Sequence, residues 1–146
     1  MHCSVGFDKR GDKLTKRGKY GFRPIRTFKK ECSKVFVWRK HARLQQFMAK
    51  KWAEQNPKVE VEGALAHLGF NADQDAPCYM TEDVVRELAE QIEKGFADYH
   101  ATDGFFWGQQ FQEESVKDYK EQDIKFLKFC EQAINEKKVV EYWCSW

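Results

Sequence analysis

The chain has 146 residues, the length of one domain and enough to bury a hydrophobic core. Hydrophobic residues make up 42% and charged residues 33%, a balance typical of globular rather than disordered chains. No apolar run approaches the ~20 residues of a membrane-spanning helix, and no signal-peptide pattern opens the chain. These features predict a cytoplasmic protein without a membrane partner.

The formal net charge of +2 hides a strong asymmetry between the two parts of the chain. Residues 1–58 carry a balance of +13, whereas residues 59–146 carry −11. Such a split is compatible with internal pairing of a basic and an acidic surface, or with a basic patch for a polyanion. It also allows a homo-oligomer that joins the basic half of one copy to the acidic half of another.

Residues 1–32 read as a basic, glycine-punctuated arm or as short strands, with apolar anchors at 5–7 and 20–22 and an extended piece at 25–28. A basic arm of this kind is an ordinary solvated segment or a contact for nucleic acid. The candidate nucleic-acid residues are Lys9, Arg10, Lys13, Lys16, Arg17 and Lys19.

Residues 33–56 predict a first long helix, with Ser33 as N-cap and Pro57 after its end. Its apolar stripe is Val37, Leu44, Met48 and Trp52. Residues 58–62 alternate like a short strand, 64–70 allow one or two helical turns, and 71–77 predict a loop.

The second long helix begins after Thr81, a favourable N-cap, and has a clear apolar stripe: Val84, Val85, Leu88, Ile92, Phe96 and Tyr99. An aromatic turn follows at 104–108, where three large aromatic residues lie between two glycines. A third helix is predicted from about Glu113 to Glu136, with apolar residues on two of its sides.

The final segment, 139–146, has the composition of a strand. We expect it to pair with an amino-terminal strand or to lie across the helices, with Trp146 in a pocket. The predicted fold is therefore mainly α, with α+β character at the margins: three long helices packed with a few short strands from the chain ends. The helical domain is expected over 33–146.

Motifs of enzymes and metal sites do not stand out in the sequence. Five cysteines are scattered without a CxxC pair or metal-type spacing, which predicts reduced thiols. A metal site that joins His2 and Cys3 to Cys144 is a minor alternative. Neither a GxSxG motif nor a glycine-rich phosphate loop occurs. We therefore predict no catalytic residue, no metal and no cofactor.

Three motifs occur in order: Trp38-Arg39-Lys40 opening the first helix, Gly104-Phe105-Phe106-Trp107-Gly108 between helices, and Tyr142-Trp143-Cys144-Ser145-Trp146 at the end. Together they resemble a family of small bacteriophage and prophage proteins with a "WRK" helix, a "GFFFG" turn and an "SSW"-like ending. The resemblance covers residues 35–146. Trp107 replaces the family's third phenylalanine, and His41-Ala42 stands where the family has Ala-Asn. The resemblance implies a phage-encoded cytoplasmic protein and brings no established activity.

The leading functional hypothesis is a non-enzymatic phage accessory protein that binds a host or phage macromolecule, in its concrete form an inhibitor of a host defence or regulatory protein. The candidate binding residues are Trp38, Arg39, Lys40, Arg43, Phe106, Trp107 and Trp146. If these residues are buried together, they are architecture instead. One alternative is a nucleic-acid-binding protein that uses the basic arm. Another is a site for a small anionic ligand or nucleotide, with Arg39 pairing the anion and Trp38 or Trp107 stacking on a base.

Overall fold

The computed structural model describes residues 36–57, 77–99 and 109–145, and the backbone of strands at 2–8, 16–18, 21–23 and 30–31. Side chains are described over 36–57, 77–99 and 112–144. The described part of the chain is mainly helical, as predicted, with helices α1 (Ala42–Gln55), α2 (Glu82–Glu93) and α3 (Gln109–Asn135). None of these helices is long and apolar enough to cross a membrane.

The helices pack with an antiparallel sheet of five strands: β1 (His2–Asp8), β4 (Lys30–Glu31), β5 (Val37–Arg39), β6 (Cys78–Tyr79) and β7 (Val139–Ser145). Strand β1 pairs with β7 along its whole length, from His2 opposite Ser145 to Asp8 opposite Val139. On its other edge, β1 pairs with β5 at residues 2–4 and with β4 at residues 7–8. Strand β6 pairs with the outer edge of β7.

Pairing of β7 with β1 is one of the two arrangements predicted for the final segment. Val140, Tyr142 and Cys144 alternate along β7, and all three are buried. Because side chains two residues apart share one face of a strand, this row belongs to the face of β7 that packs in the core. Two further strands, β2 (Lys16–Gly18) and β3 (Gly21–Arg23), pair with each other in a separate two-stranded sheet.

The prediction of a helix over residues 33–56 is wrong at its start. Residues 37–39 form β5 instead, in which Val37 and Arg39 are exposed and Trp38 is buried, so a period of two replaces the helical period. Lys40 then turns the chain with a φ of 60°, and α1 begins at Ala42. Val37 therefore does not belong to the apolar stripe and is 44% exposed, whereas Leu44, Met48 and Trp52 are buried as predicted.

The other two helices begin close to the positions that the sequence predicts. Thr81 is the N-cap of α2, and its hydroxyl accepts a hydrogen bond from the backbone N–H of Val84 at 3.3 Å. Helix α2 ends at Glu93, so Phe96 and Tyr99, which the sequence predicts on its stripe, lie beyond it, after a turn in which Gly95 and Phe96 have left-handed φ values of 61° and 54°. The stripe residues from Val84 to Phe96 are nevertheless buried, and Tyr99 is half-buried. Helix α3 begins one turn earlier than predicted and ends at Asn135. The predicted pieces at 25–28, 58–62, 64–70 and 104–108 lie outside the described residues.

Polar side chains join α1 to its neighbours. The Gln55 amide donates to the carbonyl of Tyr79 at 2.8 Å and accepts from its N–H at 2.9 Å, so it hydrogen-bonds to β6 as a neighbouring strand would. Lys51, buried in α1, forms ion pairs with Glu54 and with Glu87 of α2. Burial opposes the charge on Lys51, but hydrogen bonds to Glu87 and Glu54 outweigh it, and the pKa of Lys51 is raised. The ion pairs of Lys51 therefore stabilise the folded protein fully at pH values below the ordinary lysine pKa. Their contribution is lost as the pH rises through the higher pKa that Lys51 has in the folded state.

Candidate functional site

The segment that holds the first sequence motif is Val37 to His41, where β5 turns into α1; we call it the β5–α1 junction. Its backbone cannot continue either a strand or a helix, because Lys40 has a left-handed φ of 60°. The polar groups of such a segment need other partners. Side chains from one face of α3 supply them.

Three residues of α3, spaced four and three positions apart, hydrogen-bond to this backbone. Gln122 donates from Nε2 to the carbonyl of Val37 at 2.7 Å. The Tyr119 hydroxyl accepts from the N–H of Arg39 at 2.9 Å and donates to its carbonyl at 3.0 Å. Ser115 donates from Oγ to the carbonyl of Lys40 at 2.9 Å. Because positions i, i+4 and i+7 lie on one helical face, α3 meets the junction along about two turns.

A buried carboxylate completes this contact. Asp123 accepts a hydrogen bond from Trp38 Nε1 at 2.8 Å through Oδ1, and its Oδ2 lies 2.8 Å from His41 Nε2. Trp38, His41 and Asp123 are 1%, 3% and 2% exposed, so bulk water does not compete for these bonds. The His41 ring stacks on Tyr119 with a centroid distance of 5.4 Å and contacts Phe96 edge-on.

Both ring nitrogens of His41 are engaged. The N–H of Leu44 points at Nδ1 at 3.5 Å, which makes His41 the N-cap of α1. This network assigns the proton to Nε2, where it is donated to Asp123, and leaves the Nδ1 lone pair for Leu44. A general base needs a nitrogen within reach of a substrate. The pair of His41 and Asp123 therefore positions the junction and offers no such nitrogen in this arrangement.

The structure separates the candidate binding residues of the first motif. Trp38 lies in the core, where its ring centroid is 4.9 Å from that of Phe126 and 6.1 Å from that of Tyr142. Because Trp38 is 1% exposed, neither face of its ring is open for stacking on a nucleotide. Arg39 is exposed and Lys40 is half-buried. Arg43 is buried and donates from its guanidinium to the carbonyl of Gly95 at 3.3 Å. That carbonyl lies just beyond the carboxyl end of α2, where the helix dipole favours a cation.

The remaining candidates cannot be placed in this way. Phe106, Trp107 and Trp146 lie outside the described residues, as do four of the basic-arm candidates: Lys9, Arg10, Lys13 and Lys19. Lys16 and Arg17 lie in β2. In its pairing with β3, Lys16 is directly opposite Arg23, and Arg17 is opposite Phe22.

A groove with a volume of about 660 Å³ lies between α2 and the carboxyl-terminal end of α3, and it is open rather than enclosed. We call it the α2–α3 groove. Its apolar floor is formed by Val85, Ala89 and Ile134. Its rim carries four exposed glutamates: Glu82, Glu90, Glu93 and Glu131. Among the described residues that line it, Arg86 alone is basic, and Arg86 pairs with Asp83 at 2.7 Å.

These four glutamates form no ion pair with a basic residue in the described part of the chain. Within the described part of the chain, these charges of one sign around an apolar floor favour a negative potential in the groove. Within the same part of the chain, no group of three or more His, Cys, Asp and Glu side chains is arranged to hold a metal ion.

Sequence reasoning missed His41 and Asp123. The signal for Asp123 is its position, since it lies four residues after Tyr119 and three before Phe126, on the apolar side of the third helix. A carboxylate within an apolar stripe indicates a buried partner. His41 gives no comparable signal, because histidine is uncommon as an N-cap. Comparisons with protein-family models, curated proteins and solved structures find no match for this chain.

We expect Asp123→Ala to lower the free energy of unfolding by about 2–4 kcal/mol, because it leaves Trp38 Nε1 and His41 Nε2 buried without an acceptor. Asp123→Asn is expected to cost less, since its amide oxygen still accepts from Trp38 while its NH₂ group faces the His41 N–H. Denaturant unfolding followed by circular dichroism measures both effects. Asp118→Ala, at an exposed position of α3, is the control and is expected to stay within about 0.5 kcal/mol of the wild type. An Asp123→Ala variant as stable as this control would contradict the assignment.

Proposed function

We propose that this protein works by binding another protein, without chemistry of its own, and that the α2–α3 groove receives a basic segment of that partner. The observation that carries the proposal is the combination of an apolar floor with four exposed glutamates that have no ion-pair partner among the described residues. An amphipathic helix with an apolar stripe between lysines or arginines has the complementary pattern. Opposite charges at the rim would speed its association and fix its orientation.

The shape of the groove favours a protein segment over a small molecule. Small-ligand sites bury most of their ligand in a concave pocket, whereas this groove is open along two helices. In the junction, Trp38 and His41 are buried, whereas Val37 and Arg39 are exposed, and Arg39 is the exposed charged residue. Arg39 therefore remains a second candidate contact. Glu131 is 12 residues beyond Tyr119, about 18 Å along α3, so the groove and the junction are distinct sites.

The partner in this proposal is a host or phage protein, and inhibition of a host defence or regulatory protein is its concrete form. Support comes from the resemblance of the three sequence motifs to a bacteriophage family and from the absence of a catalytic signature in the sequence. The cytoplasm of a bacterial host is the matching location. The basic half of a second copy of this chain could also occupy the groove. The test must therefore distinguish self-association from binding of a different protein.

We expect the tagged protein to capture a protein partner from a nuclease-treated bacterial lysate. The charge-reversal variant Glu90→Lys/Glu93→Lys/Glu131→Lys should bind the purified partner at least roughly tenfold more weakly, because three favourable charges become repulsive. A matched control, Glu113→Lys/Asp118→Lys/Glu121→Lys, reverses three exposed acidic residues elsewhere on α3 and should retain the wild-type Kd. Calorimetry measures the Kd, and sedimentation of the protein alone detects binding between copies. Equal affinity of the two variants would contradict the assignment of the groove.

A second candidate function is nucleic-acid binding, and the specific observation that favours it is the register of β2 and β3. Lys16 opposite Arg23, with Arg17 next to Lys16, concentrates positive charge on a two-stranded ribbon. Ribbons of this kind enter the grooves of DNA, and phosphates would relieve the repulsion between the opposed cations.

If the ribbon binds DNA, the affinity should fall with added salt. Lys16→Ala/Arg23→Ala should reduce the slope of log K against log salt by about 2, one unit for each phosphate that is no longer neutralised. Fluorescence anisotropy with a labelled duplex measures this slope. Lys125→Ala/Lys128→Ala removes two exposed lysines of α3 and is the control for net charge. Absence of binding by the wild type at low salt would remove this candidate.

A further inference from the structure

The charged residues on the α2 wall of the groove follow one line along the helix. They are exposed and lie four, four and three positions apart: Glu82, Arg86, Glu90 and Glu93. Residues three or four positions apart lie on one helical face, each about one turn from the next. The order of signs along this line is negative, positive, negative, negative. Arg86 therefore interrupts a row that is otherwise acidic.

Arg86 is accessible to a partner although it already forms an ion pair. Its guanidinium donates to Asp83 at 2.7 Å, and the two side chains are 67% and 76% exposed. An ion pair this exposed contributes little to stability, because water solvates both groups. Asp83 does not line the groove, whereas Arg86 does. The guanidinium has five N–H donors in a planar fork, so it can bind a carboxylate in the groove without releasing Asp83.

We propose that Arg86 determines the specificity of the α2–α3 groove, which selects a basic helix that carries one acidic side chain at the position facing Arg86. This selectivity rests on the function proposed above, in which the groove receives a basic segment. On the side of the bound helix that faces α2, the complementary order of signs is basic, acidic, basic, basic at one-turn spacing. A uniformly basic helix places a cation against Arg86, and juxtaposed like charges disfavour a wrong partner.

The same line of charges sets the direction of the bound helix. Arg86 has one glutamate towards the start of α2 and two towards its end, so the order of signs is not symmetric. In the reversed direction, the acidic side chain of the bound helix faces Glu90 and a basic side chain faces Arg86. The apolar floor of Val85, Ala89 and Ile134 contacts an apolar stripe in either direction. The floor therefore contributes affinity, and the charges discriminate.

The test uses synthetic helical peptides of about 18 residues, longer than the ~16 Å from Glu82 to Glu93 requires. The parent peptide has a leucine stripe and lysine at every other position, and in each further peptide one lysine is replaced by glutamate. This series covers both directions and both sides of the bound helix. Lysine and glutamate have similar helix propensities, so the peptides differ in charge and little in helicity. Fluorescence anisotropy at low salt measures each Kd.

We expect one peptide of the series, the one whose glutamate faces Arg86, to bind roughly threefold more tightly than the parent despite its lower positive charge. Peptides with glutamate elsewhere should bind more weakly than the parent. Arg86→Gln removes the charge, keeps a good helix former and should abolish the gain, whereas Arg86→Glu should make the parent the tightest binder. Lys120→Glu, exposed on α3 and outside the groove lining, is the control and should leave the gain unchanged.

The outcomes separate this selectivity from the proposed function. If the parent binds and Glu90→Lys/Glu93→Lys/Glu131→Lys weakens it, but no glutamate position improves on the parent, the role of Arg86 is overturned and the groove remains a docking site. A gain that persists in Arg86→Gln overturns that role equally. If no peptide binds, or if the triple variant binds the parent as tightly as the wild type does, the proposed function fails and the selectivity fails with it.

Discussion

The architecture depends on one buried carboxylate. Asp123 on α3 binds Trp38 in β5 and His41 at the start of α1, each at 2.8 Å. These two residues are three positions apart on either side of a left-handed turn, a conformation that costs free energy unless its surroundings hold it. Since β5 pairs with β1, and β1 with β7, the same contact joins the helices to the sheet.

Local signals in the sequence were sufficient for α2 and α3. Thr81 supplies a recognisable cap, and apolar residues recur at helical spacing over many turns. Local signals were insufficient at the start of the first helix, because Val37 fits a helical stripe with Leu44 and Met48 as well as it fits a strand. The pairing of β5 with β1 decides between them, and that contact joins residues more than thirty positions apart. Strand order and register depend on such contacts and could not be read locally.

At the candidate site too, local sequence signals were sufficient for some features and insufficient for those that depend on contacts between distant residues. Trp38, Arg39, Lys40 and Arg43 are close in sequence, yet they differ in exposure: Trp38 and Arg43 are buried, Arg39 is exposed and Lys40 is half-buried. Trp38 and Arg43 turn inward to satisfy a carboxylate and a carbonyl at a helix end. The α2–α3 groove, by contrast, draws residues from two helices far apart in the chain. The sequence indicated its charge, through the −11 balance of residues 59–146, but not its location.

A double-mutant cycle between Trp38 and Asp123 tests the central claim most directly. Trp38→Phe removes the indole donor and keeps an aromatic ring, Asp123→Ala removes the acceptor, and the free energies of unfolding of both single variants and the double variant give their coupling. If Asp123 holds the junction through this bond, the coupling energy is at least about 1 kcal/mol. Additive effects, with a coupling below about 0.3 kcal/mol, would contradict the account.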